Sequence, residues 1–142
     1  VHIQGTISFL GDGRFQYKGS MTRGAWANMG RCYRQLGNDE AAQKAFVKAI
    51  RLDPRAVTPN LELAELYQRQ ERMRLAWDYY QQYLQRSGRQ SARSLWLGIR
   101  LASELGYDDQ QSSYELALQN LYPGTREHKL WQEWRSAQEG RQ

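Results

Sequence analysis

The chain changes its hydrophobic rhythm near residue 21. Before that point apolar residues alternate with polar ones: Ile3, Ile7 and Phe9 in one run, then Phe15 and Tyr17 between Arg14, Gln16 and Lys18. A period of two predicts strands, and Asp12-Gly13 between the runs predicts a hairpin turn over residues 1–20. A lone hairpin is marginally stable in water. The segment is therefore expected to cover an apolar helix surface or to pair its edge with a second copy, a hairpin-mediated self-association. Gly19, Ser20 and Met21 look like a cloning scar followed by a start methionine, so a native and a foreign origin for residues 1–20 both stay open.

After residue 21 the apolar positions follow a helical period and also recur at a longer, fixed step. Phe46, Tyr80 and Tyr114 stand 34 residues apart. The same step joins Gly30, Ala64 and Gly98, then Met29, Leu63 and Leu97, then Tyr33, Tyr67 and Leu101, then Ala49, Tyr83 and Ala117. Ladders in one register predict one helical hairpin used three times, over about 23–56, 57–90 and 91–124, within a single domain at 21–138. A surface helix needs apolar residues on one side, but it has no need of glycine or alanine at set places. Gly30, Ala42, Ala64, Ala76 and Gly98 therefore predict close approach of a second helix. Asn38 is placed to cap the second helix, with Asp39 and Glu40 near its positive end, and Pro54 stops it. The second copy is looser, with Asn60 where the first has Trp26, and Pro59 fits a first-turn position. In the third, Gln110 replaces the small residue and Pro123 falls one position late. Residues 125–138 carry Leu130, Trp131 and Trp134 on one side of a polar helix, as expected of a cap over the open apolar end of a stack.

The first copy's Trp26, Gly30, Tyr33, Ala42, Phe46, Ala49 and Pro54 resemble the tetratricopeptide pattern, continued by Ala64, Tyr67, Ala76, Tyr80, Gly98, Tyr114 and Ala117. The resemblance implies an all-α fold: about three antiparallel helix pairs in a right-handed superhelix, closed by the capping helix and preceded by the short hairpin. Residues 90–109 and 121–134 resemble the type IV pilus biogenesis lipoproteins of the PilF/PilW family. The shared features are an "ARSLxLGIRLA" run over residues 92–102 and a similar "LYPGSxE", matched by Leu121, Tyr122, Pro123, Gly124, Thr125 and Glu127. That family implies a pilotin: a periplasmic protein, lipid-anchored at the outer membrane, that helps the pilus secretin assemble. The partner so implied is a secretin subunit or another pilus-assembly protein. The lipobox cysteine and the earlier repeats of the family are not among these residues, so a membrane link is expected only through a lipid anchor absent from this chain. The alternative is a general tetratricopeptide adaptor or co-chaperone. A chaperone-tail clamp needs groove lysines, and the expected groove offers Asn28 but no lysine.

Composition narrows the chemistry. A length of 142 residues suits one domain, and the formal charge of +5 could indicate nucleic acid. The arginines, however, are scattered among Gln, Glu and Asp with no basic stripe, so no nucleic-acid partner is expected. No apolar run nears the roughly 18 residues that span a bilayer. Glu127 and Glu133 interrupt the basic face that a membrane-surface helix would need. Cys32 is the single cysteine, in a helix without a histidine nearby, and reads as a packing thiol rather than a nucleophile. His2 and His128 stand in unrelated segments, and "GDG" lacks the later acidic positions of a calcium loop. No catalytic residue, metal site or cofactor is expected, and Tyr79, Tyr80 and Tyr83 read as core.

In a tetratricopeptide stack the first helix of each unit lines the concave side. The binding face is therefore expected to comprise Arg31, Arg34 and Gln35, then Leu61, Glu65, Gln68 and Arg69, then Leu95, Ile99 and Ala102. It would grade from basic to apolar and suit a peptide with one acidic end.

Overall fold

The computed structural model describes residues 4–9, 11, 15–20 and 22–141. Strands β1 (Gln4–Phe9) and β2 (Phe15–Ser20) pair antiparallel, with Gln4 opposite Ser20 and Phe9 opposite Phe15. The expected Asp12-Gly13 turn lies outside the described residues, as do the side chains on which the covering and self-association expectations rest. Among the described residues seven helices follow: α1 (Arg23–Gln35), α2 (Asp39–Leu52), α3 (Thr58–Arg69), α4 (Met73–Arg86), α5 (Ala92–Leu105), α6 (Asp108–Leu121) and α7 (Arg126–Glu139). They pack as α1 with α2, α3 with α4 and α5 with α6. The pairs then join through α2 on α3 and α4 on α5, with α7 laid against α5. This is a tetratricopeptide-like helical repeat.

Local chemistry sets most helix starts among the described residues. Thr22 accepts from the Ala25 amide at 3.3 Å, and Asn38 from the Ala41 amide at 3.2 Å. Ser91 and Ser94 form a reciprocal capping box at the start of α5, and Thr125 accepts from the His128 amide at the start of α7. Pro59 sits in the first turn of α3, where its missing N–H has no intrahelical role. Pro54 is exposed in the turn after α2.

The small residues stand where helices meet. Ala42, Ala49, Ala64 and Ala76 are fully buried. A Cβ at Gly30 would lie 2.6 Å from the Phe46 ring, and one at Gly98 would overlap the Tyr80 hydroxyl and sit 3.0 Å from the Tyr114 ring. Glycine at these two positions makes room for an aromatic side chain from the paired or preceding helix. Tyr80 is itself fully buried, and its hydroxyl lies 2.8 Å from Gln90 Oε1 and 3.0 Å from the Ser94 carbonyl, which share its one proton. Burial pushes this phenol far above its ordinary pKa, so it remains a donor.

Two cores result. The larger runs from Met29, Tyr33 and Phe46 through Leu63, Ala64, Tyr67 and Tyr80 to Leu97 and Leu101. The smaller joins Leu95 and Ile99 of α5 to Leu118 and Trp131. Helix α5 thus turns Leu97 and Leu101 toward the preceding units and Leu95 and Ile99 toward α6 and α7. The cap is fastened by the buried Glu115 carboxylate, which accepts from Trp131 Nε1 at 2.7 Å and from Arg135 Nη1 at 2.8 Å.

The burial pattern corrects part of the expected binding face. Leu61 is 5% exposed, Leu95 1%, and Ile99 and Ala102 0%. These side chains fill the helix interfaces, because α3 packs against α2, α4 and α5, and α5 against α3, α4, α6 and α7. Burying a leucine or isoleucine side chain contributes about 1.5–3 kcal/mol, which outweighs any reason to hold it open to solvent.

Candidate protein-binding face

Helices α1, α3, α5 and α7 contribute side chains to a continuous row of cross-helix contacts. Near its middle is Glu62 of α3, 1% exposed although flanked in sequence by Leu61 and Leu63. A buried carboxylate is tolerated only when paired and hydrogen-bonded. Here Arg34 Nη1 of α1 donates to its Oε2 at 2.6 Å, and Arg93 Nη2 of α5 donates to its Oε1 at 3.0 Å. Arg93 also grips Glu65, with Nε 3.0 Å from Oε2 and Nη2 on Oε1. One carboxylate thereby ties three helices together. The Glu65 hydrogen bonds and charge, and behind them those of Glu62, outweigh the burial of Arg93 and hold its guanidinium even more firmly protonated than usual.

Farther along α5 the chemistry changes. Arg100 Nη1 reaches Gln68 Oε1 at 3.4 Å, and its Nε lies 3.4 Å from the Trp96 carbonyl. Its guanidinium carbon stands 4.8 Å over the Trp96 ring. Trp96 meets Trp134 of α7 edge-to-face, with ring centroids 5.9 Å apart. Burial lowers the Arg100 pKa, opposed only by the field of Glu65. At the opposite end, a cleft of about 510 Å³ opens between Asn28 and Arg31 of α1, Ala49 at the end of α2, and Val57 and Pro59 at the start of α3.

Of the residues expected on this face, Arg34, Glu65 and Gln68 are drawn into the row. Arg31 is exposed, bonded to Asn28 Oδ1 and lining the cleft, and Gln35 is exposed beyond it. Arg69 turns to Asp39 of α2 at 3.3 Å, away from the row. The row also contains Glu62, Arg93, Trp96, Arg100 and Trp134, which the sequence reading did not single out for it. A signal was present: Asn28, Glu62 and Trp96 form another ladder at the 34-residue step, and Arg93, Trp96 and Arg100 share one side of a helix. Among the described residues no group of three or more His, Cys, Asp or Glu is placed to hold a metal ion.

Comparison with known proteins decides the relationship. A tetratricopeptide repeat model matches residues 24–56. The type IV pilus assembly protein PilF of Pseudomonas aeruginosa is 37% identical over 105 residues, covering 74% of this chain and 41% of PilF. The chain is a tetratricopeptide-repeat relative of PilF. A structure from a functional characterization of Pseudomonas aeruginosa PilF superposes with a TM-score of 0.75 at 35% identity, over 78% of this chain and 50% of that one. PilW, a widely conserved type IV pilus biogenesis factor, superposes with a TM-score of 0.66 at 25% identity, over 76% of this chain and 49% of its own. The chain thus spans about half or less of the length of these relatives.

Proposed function

We propose that the chain is a non-catalytic protein-binding module of type IV pilus assembly that acts as a pilotin, contacting the outer-membrane secretin as it assembles. The observation that carries this reading is the 37% identity to PilF over 105 residues, which joins sequence likeness to a shared repeat fold. On this reading the repeats are 23–56, 57–90 and 91–124 with the cap at 125–138, and the row on α1, α3, α5 and α7 is the concave binding face. Repeat stacks use such faces because adjacent units place side chains along one extended surface. Its contact residues on this reading are Arg31, Arg34, Glu65 and Gln68, with Arg93, Trp96, Arg100 and Trp134 beside them. The site of action is the periplasmic face of the outer membrane. No described helix is long and apolar enough to cross a membrane, and attachment is assigned to a lipid anchor outside these residues.

The test is retention of the secretin subunit on the immobilised chain. Retention is expected, and it should fall at least tenfold in an Arg31→Glu, Trp134→Ala double variant that melts like the parent. Undiminished retention by that variant would remove the face from the proposal. Failure of the parent chain to retain secretin would remove the pilotin role and favour a general adaptor.

A further inference from the structure

Three arginines lie along the row, and they differ in one respect. Arg34 and Arg93 each meet a carboxylate, Glu62 for the first and Glu62 with Glu65 for the second. Arg100 meets none among the described residues: its polar contacts are the neutral Gln68 amide oxygen and the Trp96 carbonyl, both at 3.4 Å. Its guanidinium is half-buried against the Trp96 ring, and Trp134 meets that ring edge-to-face. A guanidinium that has lost water without gaining a carboxylate is an incomplete arrangement. The nearby Glu65 carboxylate does not complete it: its hydrogen bonds go to Arg93, and none reaches Arg100.

We propose that the corner formed by Trp96, Arg100 and Trp134 is a recognition subsite for one acidic side chain flanked by apolar residues in a partner peptide. The carboxylate would pair with Arg100, and the apolar neighbour would lie on the half-buried faces of Trp96 and Trp134. Charge complementarity selects this occupant. It takes a single acid rather than an acidic run, because Glu62 and Glu65 already occupy Arg34 and Arg93, and Arg31 stands at the opposite end beside the cleft. It takes an internal residue rather than a chain terminus, because the row continues past Arg100 toward α3 on one side and α7 on the other. This inference rests on the reading of the chain as a protein-binding module and adds the chemistry that the partner must carry.

The probe is the blocked hexapeptide acetyl-Gly-Leu-Glu-Phe-Gly-Gly-amide, titrated into the whole chain. Binding is followed through the indole N–H resonances of Trp96 and Trp134. Three companions are used: the same peptide with Gln for Glu, one with three consecutive Glu residues, and acetyl-Gly-Gly-Leu-Phe with a free terminal carboxylate. The Glu peptide should bind roughly tenfold more tightly than the Gln peptide, the scale of one charge-assisted hydrogen bond. It should also bind at least as well as either other companion. Arg100→Gln should abolish the Glu preference, and Arg100→Lys should retain part of it, with far-UV circular dichroism and melting unchanged in both. Equal affinity for Glu and Gln peptides, stronger binding of the free carboxylate or the acidic run, or a preference surviving Arg100→Gln would overturn the proposal. The two readings fail separately. Lost secretin retention with an intact Glu preference removes the pilotin role and leaves the corner, and the converse removes the corner alone.

Discussion

The turn joining α1 to α2 and the turn joining α3 to α4 have one backbone and two chemistries. In the first, the Gly37 amide donates to the Arg34 carbonyl at 3.0 Å and the Asn38 amide to the Tyr33 carbonyl at 2.9 Å. In the second, the Glu71 amide donates to the Gln68 carbonyl at 3.0 Å and the Arg72 amide to the Tyr67 carbonyl at 2.9 Å. Gly37 adopts a φ of 77°, free for glycine, and Asn38 caps the next helix. Glu71 adopts a φ of 61°, a left-handed conformation that a side chain disfavours, and Arg72 supplies no side-chain cap. The second turn closes the same way because α3 is held on both flanks, by α2 and by α5, with α4 beneath. Its Pro59, Asn60, Leu61, Glu62, Leu63, Ala64, Leu66 and Tyr67 are all buried. Arg72 adds a cation–π contact, 5.0 Å above the Tyr67 ring. A unit at the edge of the stack relies on its own turn chemistry, whereas an interior unit is closed by its neighbours.

The sharpest way to break this contrast is at the close approaches, which no neighbour can relieve. Gly98→Ala should cost about 3 kcal/mol and Gly30→Ala about 2 kcal/mol in urea unfolding, since overpacking exceeds the helix propensity that alanine gains. Ala64, at the same repeat position, already carries the methyl group and lies fully buried. Glu62→Gln comes next. It leaves Arg34 and Arg93 facing a neutral amide and should cost about 1–3 kcal/mol by the same measurement, although both arginines are partly exposed and can turn to water. Asn38→Ala should cost about 1 kcal/mol through loss of the cap. Arg72→Asn, introducing the missing cap in the interior unit, should stabilise by less than that. Smallest is Glu71→Gly, expected to raise stability by about 0.5 kcal/mol. Relief of the left-handed strain exceeds the entropy that glycine adds to the unfolded chain. A loss of stability in Glu71→Gly would show that the Glu71 side chain supports the turn, and the contrast would fail.

Legibility in the sequence followed the range of the physics. The 34-residue ladders marked Gly30, Phe46, Tyr80 and Gly98, and each of these sits in a helix contact in the structure. Asn38 announced a helix start because capping acts across three or four residues. The binding face was harder to read. Spacing on one helix put Leu61, Leu95 and Ile99 there as readily as Arg34 and Glu65. Only the flanking helices separate the two groups, by covering the former. Glu62, set between two leucines, carried no local sign that it would be buried and paired.

The amino-acid order by itself determined where α2 begins and where helices approach one another, because a capping oxygen or a missing Cβ acts at the residue that bears it. Tertiary structure alone decided which polar groups share the face. The partners of Glu62 lie 28 residues before it and 31 after it on separate helices, and Glu65 meets Arg93 rather than Arg100. Pairings of that kind depend on the angle and spacing at which whole helices dock, and the packed interior sets both.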